Sequence, residues 1–239
     1  IDCKNLKLCE DVWFAYLSCL NSNGLYNKPL DLTKDLVYAD NPASLFSISS
    51  IRRVSYFELG NFIGVNFEFE WLLAELENHP EILFTDKTLT SHYLEFLNDY
   101  QEHLRSTGRL DKALSFTNEN LNKFEDDNYN YYRNQFVLNY LNILLQLNKC
   151  SEALSFIEGN EVLKFDNITT PRSKIADSNA LQNRLGRIYD CLGENTKAIQ
   201  AYKQIKKTED SQLNFALVYM ELSRRYNLTG NKVESEKYL

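Results

Sequence analysis

Residues 179–205, NALQNRLGRIYDCLGENTKAIQAYKQI, contain the most regular pattern in the chain. Leu185 and Tyr189 are four residues apart and therefore share one face of a helix. Gly193 can adopt the left-handed conformation that closes a helix, and the small Ala198 lets a second helix approach the first closely. This spacing predicts a hairpin of two antiparallel helices.

Gly186 and Tyr202 complete the pattern L-G-x2-Y-x3-G-x4-A-x3-Y, which resembles the tetratricopeptide motif at each of these positions. The resemblance implies an all-α fold, a right-handed solenoid of stacked antiparallel helical hairpins. One hairpin cannot bury both sides of its apolar surface, so it must stack on neighbours. Further copies are therefore expected along the chain.

Three further copies with the same order of apolar, left-handed and small residues occur within residues 85–239. Their matching residues are Leu97, Tyr100, Leu104, Gly108 and Ala113; Val137, Tyr140, Leu144, Asn148, Ala153 and Ile157; and Tyr219, Leu222, Tyr226, Gly230 and Ser235. Together with the hairpin of residues 179–205, they predict four clear hairpins in succession.

Residues 1–84 match the motif less well. A first helix, its turn and a proline in place of the small residue are predicted at Trp13, Tyr16, Leu20, Gly24 and Pro29. A second hairpin is predicted around a turn at Gly64, with Phe69 at the small position. Residues 1–239 are thus predicted to form a single domain of about six hairpins, the first two degenerate.

The predicted turns are more widely spaced than in the usual tetratricopeptide unit of about 34 residues. They lie up to 45 residues apart, the interval from Asn148 to Gly193. Within this interval, polar residues between Gly159 and Ser178 predict a projecting loop, which is either functional or simply tolerated. The chain begins at Ile1 without a Met, which predicts that it is a fragment of a longer protein.

Composition bears on both the fold and the partners of the chain. The chain has only 8 Gly and 4 Pro, which favours helices. Its net charge is −7 and no basic stripe is present, so no contact with nucleic acid is expected from this fragment. No apolar stretch approaches the roughly 18 residues that a membrane span requires, so no membrane insertion is expected either.

Nothing in the sequence indicates catalysis, a cofactor or a metal site. No nucleophile elbow, zinc-protease or phosphate-loop motif occurs, and His92 and His103, about 16 Å apart on a helix, are too distant to share a metal. Five cysteines without a C-x-x-C pair predict reduced, buried thiols and a cytoplasmic location. The chain is therefore expected not to be an enzyme.

The resemblance also implies a binding groove, lined by the first helix of each hairpin. Carried over copy by copy, the groove-facing residues are Glu95, Asn98, Glu102 and Arg105; Leu138, Asn142 and Leu145; Asn183, Arg187 and Asp190; and Met220, Arg224 and Asn227. The residues predicted to contact a protein or peptide partner are Asn98, Arg105, Asn142, Asn183, Arg187 and Arg224.

Two chemistries recur among these residues. Asparagine amides can hold the main chain of an extended peptide, while Arg187 and Arg224 can meet a carboxylate. The alternative is chance, because Asn is abundant throughout the chain. The carboxylate clamp that grips chaperone C-termini is not matched: Asn139 and Arg184 would fit, but the remaining clamp positions are taken by Asn98, Glu102 and Ala180.

The function predicted from the sequence is a scaffold module that binds a protein or peptide through the concave groove. One alternative is a ligand-sensing domain that regulates an attached transcriptional or signalling output domain. A minor alternative is an accessory subunit of an enzyme complex. Both alternatives rest on architecture rather than on any motif.

Overall fold

The computed structural model describes residues 6–34, 42–78, 86–124, 127–159, 171–206 and 212–239. Helices dominate these ranges, and no residue in them belongs to a β-strand. The all-α prediction is therefore confirmed for the described part of the chain. No helix in these ranges combines the length and the apolar content that crossing a membrane requires.

The described α-helices follow one another in pairs joined by short turns. They are α1 (Leu6–Ser22) and α2 (Asn27–Thr33); α3 (Pro42–Glu58) and α4 (Phe62–Glu77); α5 (Lys87–Ser106) and α6 (Leu110–Asn120); α7 (Asn130–Gln146) and α8 (Cys150–Gly159); α9 (Pro171–Cys191) and α10 (Asn195–Lys203); and α11 (Gln212–Leu228) and α12 (Lys232–Glu236). Two 3₁₀ turns, Leu121–Phe124 and Asp127–Tyr129, lie between α6 and α7.

The same turn joins the two helices of each pair. One residue in it has a positive φ, and these residues are Gly24, Gly60, Gly108, Asn148, Gly193 and Gly230. The N–H of the next residue donates to the carbonyl oxygen five residues earlier at 2.8–2.9 Å, as Glu194 does to Tyr189. This is the Schellman arrangement, which satisfies the last carbonyls of the first helix.

The predicted turn at Gly64 is wrong, because the positive φ belongs to Gly60. Asn61 caps α4 by accepting a hydrogen bond from the Gly64 N–H at 2.9 Å, which places Gly64 inside the helix. A Cβ at Gly64 would lie 2.6 Å from the Tyr56 ring. Gly64 therefore permits close packing of α4 on α3.

The second helix of each pair begins with the same burial pattern. Five residues after the left-handed position stand Pro29, Val65, Ala113, Ala153, Ala198 and Ser235, all buried. The prediction of Phe69 at this place is wrong because the turn lies four residues earlier than expected. Val65 takes the place instead, and Phe69 occupies the position equivalent to Tyr202.

The chain divides into two compact units, residues 1–96 and 97–239. In the first unit, Asn21 of α1 donates to the Ile51 carbonyl of α3 at 3.0 Å and accepts from Ser55 at 2.8 Å. Arg52 and the fully buried Glu68 form an ion pair at 2.9 Å. Polar contacts thus tie α3 both to α1 and to α4.

Two apolar clusters are defined by the described residues of the α7–α11 segment. One joins α7, α8 and α9 and comprises Val137, Leu138, Tyr140, Leu141, Leu144, Ala153 and Ile188. The other joins α10 and α11 and comprises Ala198, Ile199, Tyr202, Val218, Leu222 and Tyr226. Each cluster draws on consecutive hairpins, as expected for hairpins that bury their apolar faces on one another.

Candidate functional site

The predicted partner-binding residues of the second unit fall at equivalent places on α5, α7, α9 and α11. Counted back from the left-handed residue, the sixth position holds Glu102, Asn142, Arg187 and Arg224. The tenth position holds Asn98, Leu138, Asn183 and Met220, and the third holds Arg105, Leu145, Asp190 and Asn227. Spacings of three and four place these positions on one stripe of each helix.

On α5 the predicted residues have internal partners. The Asn98 Nδ2 donates to the Tyr132 carbonyl oxygen at 3.1 Å. Arg105 donates through two nitrogens to the carboxylate of Glu102, and this hydrogen bonding raises the pKa of Arg105. Asn98 therefore connects neighbouring hairpins, and the charge of Arg105 is balanced within its own helix.

On α7 and α9 the predicted amides are available. Asn142 and Asn183 are half-buried, and neither side chain hydrogen-bonds to another residue of the described ranges. Leu138, in contrast, is 2% exposed and belongs to the apolar cluster, so its predicted place in a groove is wrong. The reason is that α7 is buried between neighbouring helices on two of its faces. The apolar periodicity of the sequence does not show that the second face is also buried.

The predicted arginines of α9 and α11 are exposed. Arg187 forms no ion pair with any residue that the structure describes. Arg224 has a side chain 65% exposed and lies 4.0 Å from a carboxylate oxygen of Glu221 in its own helix, a weak contact. Both guanidinium groups can therefore contact a ligand.

Arg184 lies one turn before Arg187 on α9. It was not among the predicted partner-binding residues, because the sequence comparison considered it only for the carboxylate clamp, which the chain does not match. Its Nη1 donates to the Ala180 carbonyl at 3.0 Å and its Nε to the Leu138 carbonyl at 3.4 Å. It pairs with no acid in the described ranges. Burial, followed by the like charges of Arg187 and Arg105, lowers the pKa of Arg184 to about 10.

Asn142, Asn183, Arg184, Arg187 and Arg224 are called the polar face below. They lie on the first helices of three consecutive hairpins. Burial and the like charges of Arg187 and Arg105 disfavour the charge of Arg184, while Glu102 and Asp177 act in the opposite direction. An anionic group placed against Arg184 and Arg187 would stabilise both guanidinium charges.

Tyr202 lies beneath this part of the fold. Its ring packs where a side chain of Gly186 would be, since a Cβ there would lie 2.5 Å from the ring. The residue is 2% exposed, and its hydroxyl makes no hydrogen bond within the described ranges. Burial and then Glu221 raise the pKa of Tyr202 to about 12, against the opposing effect of Arg187 and Arg224.

Asp190, also predicted to face a partner, instead ties α9 to α11. Its carboxylate pairs with the guanidinium of Arg225, a residue whose side chain is only 7% exposed. Arg225 also contacts Glu221 at 3.4 Å. The two acids neutralise a buried cation, so Asp190 has a structural role.

Three further contacts join α9 to the preceding hairpin. Near the start of α9, Asp177 accepts from Asn134 at 3.0 Å and from Gln135 at 2.9 Å. Arg184 provides the middle contact, through the Leu138 carbonyl. At the end of α9, Cys191 forms a disulfide with Cys150. The prediction of reduced thiols is therefore wrong for this pair, which lies 41 residues apart in sequence.

No family model and no curated protein matches the chain. Among solved structures, the chain is similar to the crystal structure of BtubC (BKLC) from P. vanneervenii, with a TM-score of 0.64 and 16% sequence identity. The match covers 96% of this chain and 88% of that chain. At this identity the likeness concerns the fold alone.

Proposed function

We propose that the second unit is a tetratricopeptide-like array, stacked as a right-handed solenoid, that binds a peptide or a segment of another protein. Four identical turns in this unit, each followed five positions later by a small buried residue, support the family resemblance. The observation that carries the function is the set of polar groups without internal partners. Asn142, Asn183 and Arg187 occupy equivalent stripes on adjacent hairpins, yet none bonds to a described residue through its side chain.

The polar face suggests how such a segment is held. Each carboxamide offers both a donor and an acceptor, so Asn142 and Asn183 can hydrogen-bond the main chain of an extended ligand. Arg184 and Arg187 provide charge-assisted donors for a carboxylate on the same ligand. The expected ligand is therefore an extended acidic segment.

A screen of a random peptide library against the purified 239-residue chain would identify ligands, and calorimetric titration would then measure their affinity. We expect Asn142→Ala with Asn183→Ala to weaken binding by roughly 1–3 kcal/mol in total, because main-chain groups of the ligand lose their partners. Asn118→Ala is the matched control, since Asn118 is an exposed asparagine on α6, a helix that carries no residue of the polar face.

The arginines require a separate titration. Arg187→Ala is expected to weaken binding by about 1.5–3 kcal/mol and to reduce the dependence of affinity on salt, because a charge-assisted contact is lost. Thermal melts should be unchanged, since Arg187 is exposed and has no ion pair among the described residues. A library without binders, or affinities that both sets of variants leave intact, would remove the proposal.

The ligand-sensing alternative differs in its consequence. Asn142 on α7 and Asn183 on α9 lie on different hairpins, so a ligand that contacts both would bias the spacing of these helices. A sensing domain would pass this change to an attached output domain. Small-angle scattering with and without a selected peptide distinguishes the two functions, because a scaffold keeps its dimensions.

A further inference from the structure

The Cys150–Cys191 disulfide joins two consecutive hairpins at one end of the α7–α9 interface. Cys150 is the first residue of α8 and Cys191 the last of α9, with their Cα atoms 6.2 Å apart. Asp177 and its amide partners lie near the other end, 14 residues or about 21 Å away along α9. The disulfide is the one covalent member of this set of contacts.

We propose that Cys150 and Cys191 form a thiol–disulfide exchange site, whose redox state controls how firmly α9 is held and thereby regulates ligand binding. The regulatory part rests on the function proposed above. Asn142 lies on the α7 side of this interface, and Asn183 and Arg187 on the α9 side. A change in the position or mobility of α9 therefore changes the spacing of the groups that hold a ligand.

The two cysteine residues differ in their exposure to solvent. Cys191 is exposed, whereas Cys150 is 3% exposed. A small thiolate such as that of glutathione therefore attacks the Cys191 sulfur. A new bond joins glutathione to Cys191, the protein disulfide breaks, and Cys150 leaves as a thiolate that then takes up a proton.

A second glutathione completes the reduction. It attacks the sulfur of the glutathione bound to Cys191, which releases oxidised glutathione and leaves Cys191 as a thiol. In sum, one protein disulfide and two glutathione molecules give two protein thiols and one oxidised glutathione. The reverse reaction with oxidised glutathione restores the disulfide.

The surroundings suit both states of the pair. Cys150 stands at the N-terminus of α8, where the helix dipole stabilises the thiolate that leaves. The Cys191 sulfur lies 3.2 Å from Oδ1 of Asn148. After reduction, the Cys191 thiol can donate to this oxygen. Asn148 is also the left-handed residue of the turn, so its position is fixed by the backbone.

The chain contains a matched control for this chemistry. Cys19 is an exposed free cysteine in the first unit. A general effect of oxidation or alkylation on exposed thiols would include Cys19, whereas the proposed site requires both Cys150 and Cys191. Cys19→Ser should therefore keep the redox response of α8 and α9, and Cys191→Ser should abolish it.

The first experiment needs no ligand. The full chain is equilibrated in glutathione buffers of graded ratio, alkylated and analysed by peptide mass spectrometry, with amide hydrogen exchange measured on the two end states. We expect Cys150 and Cys191 to become alkylated together as one two-electron couple, and exchange in α8 and at the end of α9 to be faster after reduction. A pair that stays oxidised in every buffer, or equal exchange in both states, would overturn the proposal.

The second experiment measures regulation. Peptides selected from the library are titrated against oxidised and reduced chain, and we expect affinities to differ by about fivefold or more, the lower end of ordinary coupling between sites. Cys191→Ser and Cys150→Ser should show the reduced-state affinity in all buffers. Equal affinities would overturn the regulatory inference while leaving the binding function intact, and a library without binders in either state would instead overturn the binding function.

Discussion

Two glycines in this chain serve helix packing rather than a turn. Gly186 of α9 lies against Tyr202 of α10, and Gly64 of α4 lies against Tyr56 of α3. In both cases the aromatic ring occupies the volume that a side chain would need. The closest approach of the two helices in each pair therefore depends on a missing Cβ. The glycine belongs to the first helix of its pair at Gly186 and to the second helix of its pair at Gly64.

The Gly186 contact can be tested by a single methyl group. Gly186→Ala would place a Cβ 2.5 Å from the Tyr202 ring, so we expect the free energy of unfolding to fall by about 1–3 kcal/mol. In the control, Gly159→Ala, the added Cβ meets no described atom within 4 Å, and the change should stay within about 1 kcal/mol. Thermal melts followed by circular dichroism suffice. Equal melting of the two variants would contradict the packing of Tyr202 on α9.

Glu68 predicts a pH dependence of stability. Burial raises the pKa of Glu68 above its ordinary value, although Arg52 and Arg53 act in the opposite direction. A raised pKa means that the folded state favours the protonated carboxyl. The contribution of Glu68 is therefore fully present below the ordinary pKa and is lost as pH rises through the folded-state pKa.

The comparison variant is Glu68→Gln, which cannot titrate. We expect the free energy of unfolding of the parent to fall, relative to this variant, as pH rises from below the ordinary glutamate value through the folded-state value. Denaturant unfolding at a series of pH values measures the difference. If the parent instead gains stability relative to Glu68→Gln as pH rises, the favourable effect of Arg52 on the charged carboxylate outweighs burial.

At the scale of helices, one crossing recurs with different chemistry. The residue seven before the left-handed position meets the residue nine after it: Gly186 meets Tyr202, the Arg53 guanidinium lies 4.2 Å from the centre of the Phe69 ring, and Gln101 donates to Thr117 at 2.8 Å. A missing side chain, a cation–π contact and a hydrogen bond thus perform the same task. The sequence motif records only the first of these solutions.

Gln101 holds two hairpins together from this position. It is fully buried, and its Nε2 donates to Thr117 of α6 and, at 3.2 Å, to the Phe136 carbonyl of α7. We expect Gln101→Ala to lower the free energy of unfolding by about 1–3 kcal/mol, because two buried acceptors lose this donor. Gln200→Ala, at an exposed place on α10, should leave the melting temperature unchanged. If the two variants melt alike, Gln101 does not connect α6 and α7.

Helix pairs and turns were largely predictable because a left-handed residue after an amphipathic helix has a local cause. The error at Gly64 arose where two glycines stand four residues apart, and Asn61, a capping residue between them, is the signal that separates a turn from a helix. The direction in which α5 and α7 face was less predictable. Asn98 and Leu138 fit the groove stripe, yet each faces a neighbouring helix, which only tertiary packing decides.

At the scale of the whole molecule, helix accounts for most of the described residues. Far-UV circular dichroism of the full chain should therefore be dominated by helix. This measurement includes the residues outside the described ranges, among them residues 160–170 of the predicted loop. The loop prediction is wrong from Pro171 to Ser178, because these residues belong to α9. A strand content above about a fifth would contradict the fold.

The disulfide should also contribute to global stability. It closes a loop of 41 residues between Cys150 and Cys191, for which the loss of chain entropy in the unfolded state corresponds to roughly 3–4 kcal/mol. Denaturant unfolding of the oxidised chain against Cys150→Ser measures this contribution. Cys19→Ser should match the parent. A Cys150→Ser variant as stable as the parent would mean that the cross-link constrains little in the unfolded chain.

The repeated turn has a consequence for how the chain folds. In three of the described hairpins, two facing residues are 16 positions apart in sequence, as Gly186 and Tyr202 are, so the first native contacts there need only short loops to close. Chains rich in such short-range contacts fold quickly. In the repeat array proposed above, any hairpin can act as a starting point onto which its neighbours are added, and folding then spreads along the chain instead of awaiting one distant encounter.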